Sequence, residues 1–218
     1  GGGQGFAAYD LSDFEVEVMR YRQDGTRVEL IFNQTPFYAE SGGEVADRGE
    51  ILLFNASQEV LHKLEIKDVQ KLNGIIHHIA SCDEEIQINE TVLCKAYVDI
   101  EYRSRKKLHH TSTHLLHAAL KNILGAHVEQ KGSVVEAQRL RFDFSHTQAV
   151  TSSELNLITQ WVNHHIRLNE SVDIHSDVPI ADAKAKGAMA LFGEKYGSHV
   201  RTIQAGGDSF ELCGGNHV

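Results

Sequence analysis

Residues 101–124 read EYRSRKKLHHTSTHLLHAALKNIL, and here the chain changes from a strand pattern to a helix pattern. The apolar residues of this stretch recur at helical spacing, at Leu108, Leu115, Ala119, Leu120 and Ile123. Gly125 follows, as is common where a helix ends. The pattern therefore predicts a long helix that buries one face. On the other side of this helix, His110 and His114 are one turn apart and project in the same direction, with His117 beside them.

Before this helix, the chain has the alternating pattern of β-strands. FEVEVMRY (14–21) and TRVELIF (26–32) alternate apolar and polar residues on either side of an Asp24-Gly25 turn, which predicts a hairpin. Residues 35–50, TPFYAESGGEVADRGE, are rich in glycine and acidic side chains and are long for a simple turn. Composition alone favours an ordinary surface loop there. Further strands are predicted at 50–54, 59–66, 74–80 and 91–100.

After the helix, strands and helices are mixed. Residues 127–144 predict a pair of strands, and Thr151-Ser-Ser-Glu154 has the spacing of a capping box in front of a helix at 155–168. The remaining predicted elements are a strand at 172–178, a short helix from Ile180 and a strand at 199–205.

This order of elements predicts an α+β fold. We expect a β-rich N-terminal subdomain over residues 1–100, which includes the glycine-rich segment 35–50. An antiparallel sheet packed with two long helices is expected to follow over residues 101–218.

The composition limits the classes of protein to consider. Of 218 residues, 41% are hydrophobic and 23% are charged, as in soluble globular domains. No apolar run approaches the ~20 residues of a membrane-spanning helix, and the start lacks a signal-peptide pattern. The 3 cysteines are too few for a disulfide scaffold. We therefore expect a cytoplasmic protein without membrane contact. The net charge of −9 argues against binding nucleic acid through a broad basic surface.

The 14 histidines raise the question of a metal site. A single pair such as His110 and His114 arises easily by chance in this chain. A second pair, Cys213 and His217, is joined by Gly214, Gly215 and Asn216, and the glycines let both side chains face one point. Together the pairs form a Cys₁His₃ set, which suits zinc. The alternatives are a small buried cysteine and a histidine at a frayed chain end. Four protein ligands would indicate a structural site, whereas three and a water would indicate catalysis, and the spacing leaves both open.

Longer motifs occur in a characteristic order: TPFYAESGGEVADRG (35–49), HTSTHLLH (110–117), HVEQKGS (127–133), RLRFDFSH (139–146), ALFGEKYG (190–197) and ELCGGNH (211–217). Over roughly residues 25–218 the chain resembles the editing domain of alanyl-tRNA synthetases. Free-standing alanyl-tRNA deacylases share the zinc motif and the glycine-rich segment, but ALFGEKYG is more similar to the synthetases. The glycine-rich start, and a metal-ligand motif one residue before the end, also suggest a fragment of a longer chain.

The resemblance implies an activity and its residues. The domain would hydrolyse the ester of tRNA(Ala) mischarged with serine or glycine, beside the remaining domains of a synthetase that attaches alanine to tRNA(Ala) with ATP. Thr113 would bind the serine hydroxyl, and Gln130 would orient the ester or a water. The resemblance leaves open whether zinc activates water or positions the substrate. The implied ligands of Zn²⁺ are His110, His114, Cys213 and His217.

The resemblance also suggests where the tRNA acceptor end would bind. Gly42 and Gly43 lie in the glycine-rich segment. By resemblance to the family, this segment would help to distinguish serine from alanine. The one concentrated basic run is the other candidate for tRNA contact, although a solvated helix face is an equal alternative; Arg139 and Arg141 could join it. The run comprises Arg103, Arg105, Lys106 and Lys107.

Two residues depart from the pattern of this family. Asn216 replaces a threonine, and Glu44 replaces a glutamine. The added charge of Glu44 could alter how the acceptor end is held. Besides an editing domain, we consider a free-standing deacylase that edits in trans and a non-catalytic, zinc-stabilised module that binds tRNA.

Overall fold

The computed structural model describes residues 5–6, 13–91, 93–190 and 196–218. The chain divides into two units, which are treated separately below. The first comprises residues 1–40 and 45–103, and the second comprises residues 41–44 and 104–218. Within the described part of the chain, no helix is both long and apolar enough to span a membrane.

The first unit is built on an antiparallel sheet. Its strands are β1 (Gly5–Phe6), β2 (Asp13–Val16), β3 (Val18–Asp24), β4 (Arg27–Phe32), β5 (Gln34–Thr35), β6 (Gly49–Phe54), β7 (Val60–Leu72), β8 (Ile75–Ser81) and β9 (Leu93–Val98). Seven of them form one sheet in the order β2-β9-β6-β7-β8-β4-β3, and β1 pairs with β5 in parallel. A short 3₁₀ helix spans Ile88–Glu90.

The predicted hairpin is confirmed, but the predicted strand 14–21 is divided. β3 pairs with β4 around the turn after Asp24, where Gly25 has a φ of 59°. Residues 13–16 instead form β2, which pairs with β9 at the opposite edge of the sheet. The alternation of side chains continues through Glu17, and alternation does not specify which strand a segment pairs with. The sequence pattern could therefore not reveal this division.

The core of the first unit follows from the alternation within its strands. Every second residue of β4 points inwards, and Val28, Leu30 and Phe32 are at most 1% exposed. Leu64 and Ile66 of β7 repeat the pattern. Burial of such side chains from several adjacent strands gives the sheet one continuous apolar layer.

The second unit combines helices with small antiparallel sheets. Its elements are α1 (Ile100–Leu124, whose first four residues count with the first unit), β10 (Gln130–Val135), β11 (Leu140–Phe144), α2 (Ser152–Leu168), β12 (Val172–Pro179), α3 (Ile180–Ala185), β13 (His199–Ala205) and β14 (Ser209–Leu212). β10 pairs with β11, and β12, β13 and β14 form a three-stranded sheet. The predicted α+β class is confirmed, and β14 is an additional strand that the sequence pattern did not predict.

The two long helices share an apolar cluster with the β10–β11 hairpin. Ala119 and Leu120 of α1 are buried with Ile158 of α2, and Phe142 and Phe144 of β11 pack against them. Of the apolar stripe that the spacing predicted, Leu115, Ala119 and Leu120 are buried, whereas Leu108 is 56% exposed. The histidine-bearing side of α1 is also buried, so the prediction that the helix buries a single face is wrong.

The predicted capping box begins α2. The hydroxyl of Thr151 accepts from the Glu154 backbone N–H, and the Glu154 carboxylate accepts from the Thr151 backbone N–H at 2.8 Å. Thr151→Ala is expected to reduce the free energy of unfolding by about 1 kcal/mol, because the backbone N–H of Glu154 loses its side-chain partner. Urea denaturation followed by circular dichroism measures the difference. Thr151→Ser, which keeps the hydroxyl, should restore most of the loss, and equal losses in both variants would contradict this account.

Candidate metal centre

Four side chains of the second unit converge at one point. His110 and His114 lie on α1, and Cys213 and His217 lie on the turn after β14. Their candidate ligand atoms all lie within 4.8 Å of one another. Sγ of Cys213 is 3.4 Å from Nε2 of His110 and 3.3 Å from Nε2 of His217. The group could hold a metal ion.

The turn that carries Cys213 and His217 is held in place by Arg201 on β13. Its guanidinium donates to the carbonyl of Cys213 at 3.1 Å and to that of Gly215 at 2.7 Å. The backbone N–H of Cys213 donates in return to the carbonyl of Arg201 at 3.0 Å. Sequence reasoning missed this residue, because its partners are carbonyl groups that no side-chain motif reveals.

Gly215 is required by the close approach of this turn to α1. A Cβ atom at this position would lie 2.1 Å from Cε1 of His110 and 2.6 Å from Oε2 of Glu44. At Gly214, by contrast, a Cβ would meet no atom within 4 Å. Of the two glycines, only Gly215 is therefore excluded from bearing a side chain by the packing around the site.

Gly215→Ala is therefore expected to displace His110 or Glu44, with an overpacking cost of about 1–3 kcal/mol. We expect a lower melting temperature and weaker retention of a bound metal against a chelator. Both are measured on the purified chain by thermal unfolding and by metal analysis after dialysis. Gly214→Ala is the matched control and should change neither property by a comparable amount. Similar losses in both variants would contradict the packing argument.

The charge distribution favours the metal-binding form of the cysteine. Burial alone would raise the pKa of the Cys213 thiol, but the imidazoles of His110, His114 and His217 outweigh it and hold that pKa well below its usual range. Burial lowers the pKa of His110, yet the Cys213 thiolate and the Glu44 carboxylate raise it to about 10. Since a thiolate is the form that binds metals, the surroundings of Cys213 suit a ligand.

Hydrogen bonds to the other ring nitrogens orient two of the imidazoles. Nδ1 of His110 donates to Oε2 of Glu44 at 2.8 Å, and Nδ1 of His217 is 3.1 Å from the hydroxyl of Thr111. Both rings therefore present Nε2 to the Cys213 sulfur. Metal-binding histidines commonly have such a partner on the second nitrogen.

A second buried carboxylate lies beside His114. Glu211 on β14 is 1% exposed, and its Oε2 lies 3.5 Å from Nε2 of His114. Its Oε1 lies 3.1 Å from Nδ1 of His117. His117, which the helical spacing places beside His110 and His114, is thus paired with a carboxylate and lies outside the four-residue group.

The donor set fits a zinc ion. Three imidazoles and one thiolate are nitrogen and sulfur donors, which zinc prefers over the oxygen donors that magnesium and calcium require. Nδ1 of His114 is buried and has no hydrogen-bond partner among the described residues, a costly state for a polar atom unless something else binds to the ring. Zinc binding is a proposal, and the donor atoms of the four residues fit it.

Thr113 and Gln130 contact their own elements. Thr113 is 3% exposed, and its hydroxyl donates to the carbonyl of His109 at 2.8 Å. Nε2 of Gln130, at the start of β10, donates to the hydroxyl of Ser133 at 3.2 Å. The role of both residues beside an aminoacyl group stays a prediction.

Gly42 and Gly43 have structural reasons to be glycine. Their φ angles are 58° and 83°, which is the left-handed region. The carbonyl of Gly43 accepts from the backbone N–H of Val135 at 2.7 Å. A Cβ atom at Gly43 would lie 2.4 Å from the hydroxyl oxygen of Ser133. Substrate contact by these glycines stays a prediction.

The basic run does not form a uniform surface patch, which corrects the sequence interpretation. Arg103 is 2% exposed and pairs with Asp47 at 2.5 Å, whereas Lys106 is fully buried and lies 3.4 Å from Glu44. Their charges are thus directed at buried carboxylates of the chain. Only Arg105 is exposed, and Lys107 is half-buried. Helical spacing alone could not reveal this, since the partner carboxylates are distant in sequence.

Glu44 is fully buried, so its charge does not face solvent. An effect of this charge on how an acceptor end is held stays a prediction. The Glu44 carboxylate contacts Asn216, so the two departures from the family pattern lie against each other.

In the ALFGEKYG motif, residues 191–195 lie outside the described part of the chain.

Comparison with known proteins adds an independent observation. Residues 8–101 match the family model described as tRNA synthetases class II (A). Over 98% of its length, the chain is 43% identical to an alanine–tRNA ligase of Hydrogenovibrio crunogenus, 42% identical to one of Parabacteroides distasonis and 44% identical to one of Bacteroides fragilis. The aligned part covers 24–25% of each relative, so the chain spans about a quarter of the length of the curated relatives it matches.

Proposed function

This chain belongs to the alanine–tRNA ligase family, and on that premise we propose that it is an editing domain that hydrolyses mischarged Ser-tRNA(Ala) and Gly-tRNA(Ala). The residues that would hold a zinc ion at the reaction site are His110, His114, Cys213 and His217. The observation that carries the proposal is the Cys₁His₃ group, with three buried histidines, in a relative of an enzyme that must select alanine. The larger protein attaches alanine to tRNA(Ala) with ATP, through domains outside this chain.

The need for such a reaction follows from the size of the amino acids. A site for alanine cannot exclude glycine by size, since glycine is smaller, and serine adds only a hydroxyl group. A pocket discriminates against such differences by only about 1–3 kcal/mol, so a second, hydrolytic site is needed for accuracy. That site can accept serine through a hydrogen bond to its hydroxyl, and alanine would leave the same partner unpaired.

The residues of the site have different roles in ester hydrolysis. A bound zinc ion supplies positive charge that stabilises the negative charge developing during ester hydrolysis. The imidazole rings of His110 and His217 are oriented by Glu44 and Thr111. Thr113, whose hydroxyl hydrogen is donated to the carbonyl of His109, accepts a hydrogen bond from the serine hydroxyl. Gln130 orients the ester carbonyl or the attacking water. Burial of the group keeps competing water away from these contacts.

The acceptor end of tRNA contacts a narrower basic surface than the composition suggested. Arg105 is exposed on α1, with Lys107 half-buried nearby, and Arg139 and Arg141 are exposed around the β10–β11 hairpin. Each hairpin arginine contacts an acidic side chain, Glu136 and Asp143 respectively. In a chain with a net charge of −9, such contacts support brief sampling of an acceptor end better than tight binding.

A non-catalytic module is the second candidate, and one observation favours it. Four protein donors lie close enough to fill a tetrahedral zinc site, as structural zinc sites do. In that case the ion would stabilise the turn after β14, and the chain would bind tRNA without hydrolysing the ester.

The third candidate is a free-standing deacylase, which would hydrolyse the same esters in trans. The ligase names of the relatives favour the synthetase domain over it.

The decisive experiment compares three esters of the same tRNA. Purified chain is incubated with Ser-tRNA(Ala), Gly-tRNA(Ala) and Ala-tRNA(Ala), and the remaining ester is measured over time. The proposal predicts that the chain shortens the half-lives of the serine and glycine esters and leaves the alanine ester close to its half-life in buffer. If all three esters decay as in buffer while the chain still binds tRNA, the non-catalytic module is the correct function.

A further inference from the structure

Glu44 is a fully buried carboxylate in direct contact with a ligand of the candidate metal centre. It contacts four donor groups of the second unit. These are Nδ1 of His110 at 2.8 Å, the backbone N–H of Asn216 at 2.8 Å, the side-chain amide of Asn216 at 2.6 Å and the ammonium of Lys106 at 3.4 Å. A buried carboxylate is costly unless its oxygens are paired, and these contacts supply the pairing.

The two oxygens of Glu44 have separate partners. Oε2 accepts from the His110 ring and from the backbone N–H of Asn216. Oε1 accepts from the Asn216 side-chain amide and lies beside the Lys106 ammonium. One oxygen therefore joins a metal ligand to the turn that carries the other ligands, and the second oxygen fixes the position of the first.

Asn216 lies between the two ligands of the terminal turn. It follows Gly215 and directly precedes His217, and both its backbone and its side chain bind Glu44. Asn216 is fully buried, so these contacts are made away from solvent. On α1, Lys106 and His110 are one turn apart, so Glu44 also spans successive turns of the helix.

We propose that Glu44 and Asn216 act as one positioning unit, which holds the His110 ring and the turn of Cys213 and His217 in the geometry that binds metal. The proposal rests on the metal site of the proposed function. It assigns the two residues no contact with substrate. Because the partners are joined by shared hydrogen bonds, their contributions to metal retention should not be independent.

The test is a double-mutant cycle on the whole 218-residue chain. Glu44→Gln keeps the shape of the side chain but turns one oxygen into an amide that faces two donors. Asn216→Ala removes the side-chain amide and keeps the backbone N–H. Zinc retention is measured by competition with a chelator for the two single variants, the double variant and the unchanged chain. The absorption spectrum of the cobalt(II)-substituted chain reports the geometry of the ligands directly.

Each single substitution is expected to weaken zinc retention, and Glu44→Gln by about 10–100-fold, as for other residues that orient metal ligands. The double variant should retain zinc no worse than Glu44→Gln alone, because the shared hydrogen bond is already lost. The cobalt spectrum of Glu44→Gln should show altered thiolate and ligand-field bands. Two independent losses that multiply in the double variant, or retention and spectra like those of the unchanged chain, would overturn the proposal.

Controls separate positioning from general stability. Glu129→Gln and Asn163→Ala replace exposed residues of the same unit and should leave zinc retention unchanged. The melting temperature of each metal-free variant is measured as well, since a purely structural role would lower it without changing the cobalt spectrum of folded chain. If Glu44→Gln does not fold, Glu44→Asp, which keeps the charge but is shorter, provides the same comparison. If the unchanged chain retains no zinc, the proposed metal site fails. If the unchanged chain retains zinc and the variants retain it equally well with the same cobalt spectrum, this inference alone fails.

Discussion

Cys213→Ala is expected to remove the bound zinc and the hydrolysis of Ser-tRNA(Ala) together. Cys213 supplies the one thiolate of the group, and its sulfur is close to both His110 and His217. Without it, three buried imidazoles would have to bind a dication with no negative ligand. Loss of the anionic ligand should weaken zinc binding enough for dialysis to remove the ion. We therefore expect zinc content near zero after dialysis and an ester half-life equal to that in buffer.

Zinc content is measured by elemental analysis, beside the deacylation assay on the same preparation. Cys94→Ala is the matched control, because it makes the same substitution at a buried cysteine of the first unit. That variant should lose some stability through a small cavity and keep both its zinc and its activity. A Cys213→Ala chain that retains zinc, or one that hydrolyses Ser-tRNA(Ala) as fast as the unchanged chain, would contradict the role of this residue.

Arg103→Ala is expected to destabilise the first unit by about 3–5 kcal/mol, because it leaves a buried carboxylate without its cation. Nε and Nη2 of Arg103 donate to Oδ2 of Asp47 at 3.0 and 2.5 Å, and Nη2 also donates to the carbonyl of Pro36. Asp47 is fully buried and accepts in addition from the backbone N–H of Tyr38. Loss of the guanidinium therefore affects several contacts at once.

The effect of Arg103→Ala is measured by urea denaturation and by tRNA binding at a temperature where the variant is folded. Arg105→Ala is the control on the same helix, since Arg105 is exposed. It should change the free energy of unfolding little and should weaken tRNA binding if the exposed side of α1 contacts the acceptor end. Full stability of Arg103→Ala combined with weakened tRNA binding would return Arg103 to the tRNA-contacting surface of the original interpretation.

Local patterns predicted most of the elements because their signals lie within a few residues. The hairpin around Gly25, the capping box at Thr151 and the end of α1 before Gly125 each depend on neighbours in sequence. The pairing of β2 with β9 depends instead on residues that are distant in sequence. No local signal near residue 17 specifies which strand will lie next to β2. β14 is short and precedes a glycine turn, so it lacks the length that makes alternation visible.

The candidate site shows the same division between local and distant information. His110 and His114, and Cys213 and His217, form two pairs that helical spacing and a glycine turn made visible. Glu44, Glu211 and Arg201 act on those residues through contacts that depend on the tertiary fold. An acidic residue inside a glycine-rich motif is the one signal for Glu44 in the sequence, and it does not reveal that the carboxylate binds His110 and Asn216. The burial of Arg103 and Lys106 could not be predicted either, because their partner carboxylates, Asp47 and Glu44, are distant in sequence.

The central claim is that zinc at the Cys₁His₃ group is required for hydrolysis of mischarged tRNA(Ala). It is tested most directly by stripping the chain of metal, adding zinc stepwise and measuring deacylation of Ser-tRNA(Ala) at each step. The account predicts that activity is absent in the metal-free chain, rises in proportion to added zinc and levels off at one ion per chain. Full hydrolysis by the metal-free chain, or none by the fully loaded and folded chain, would contradict it.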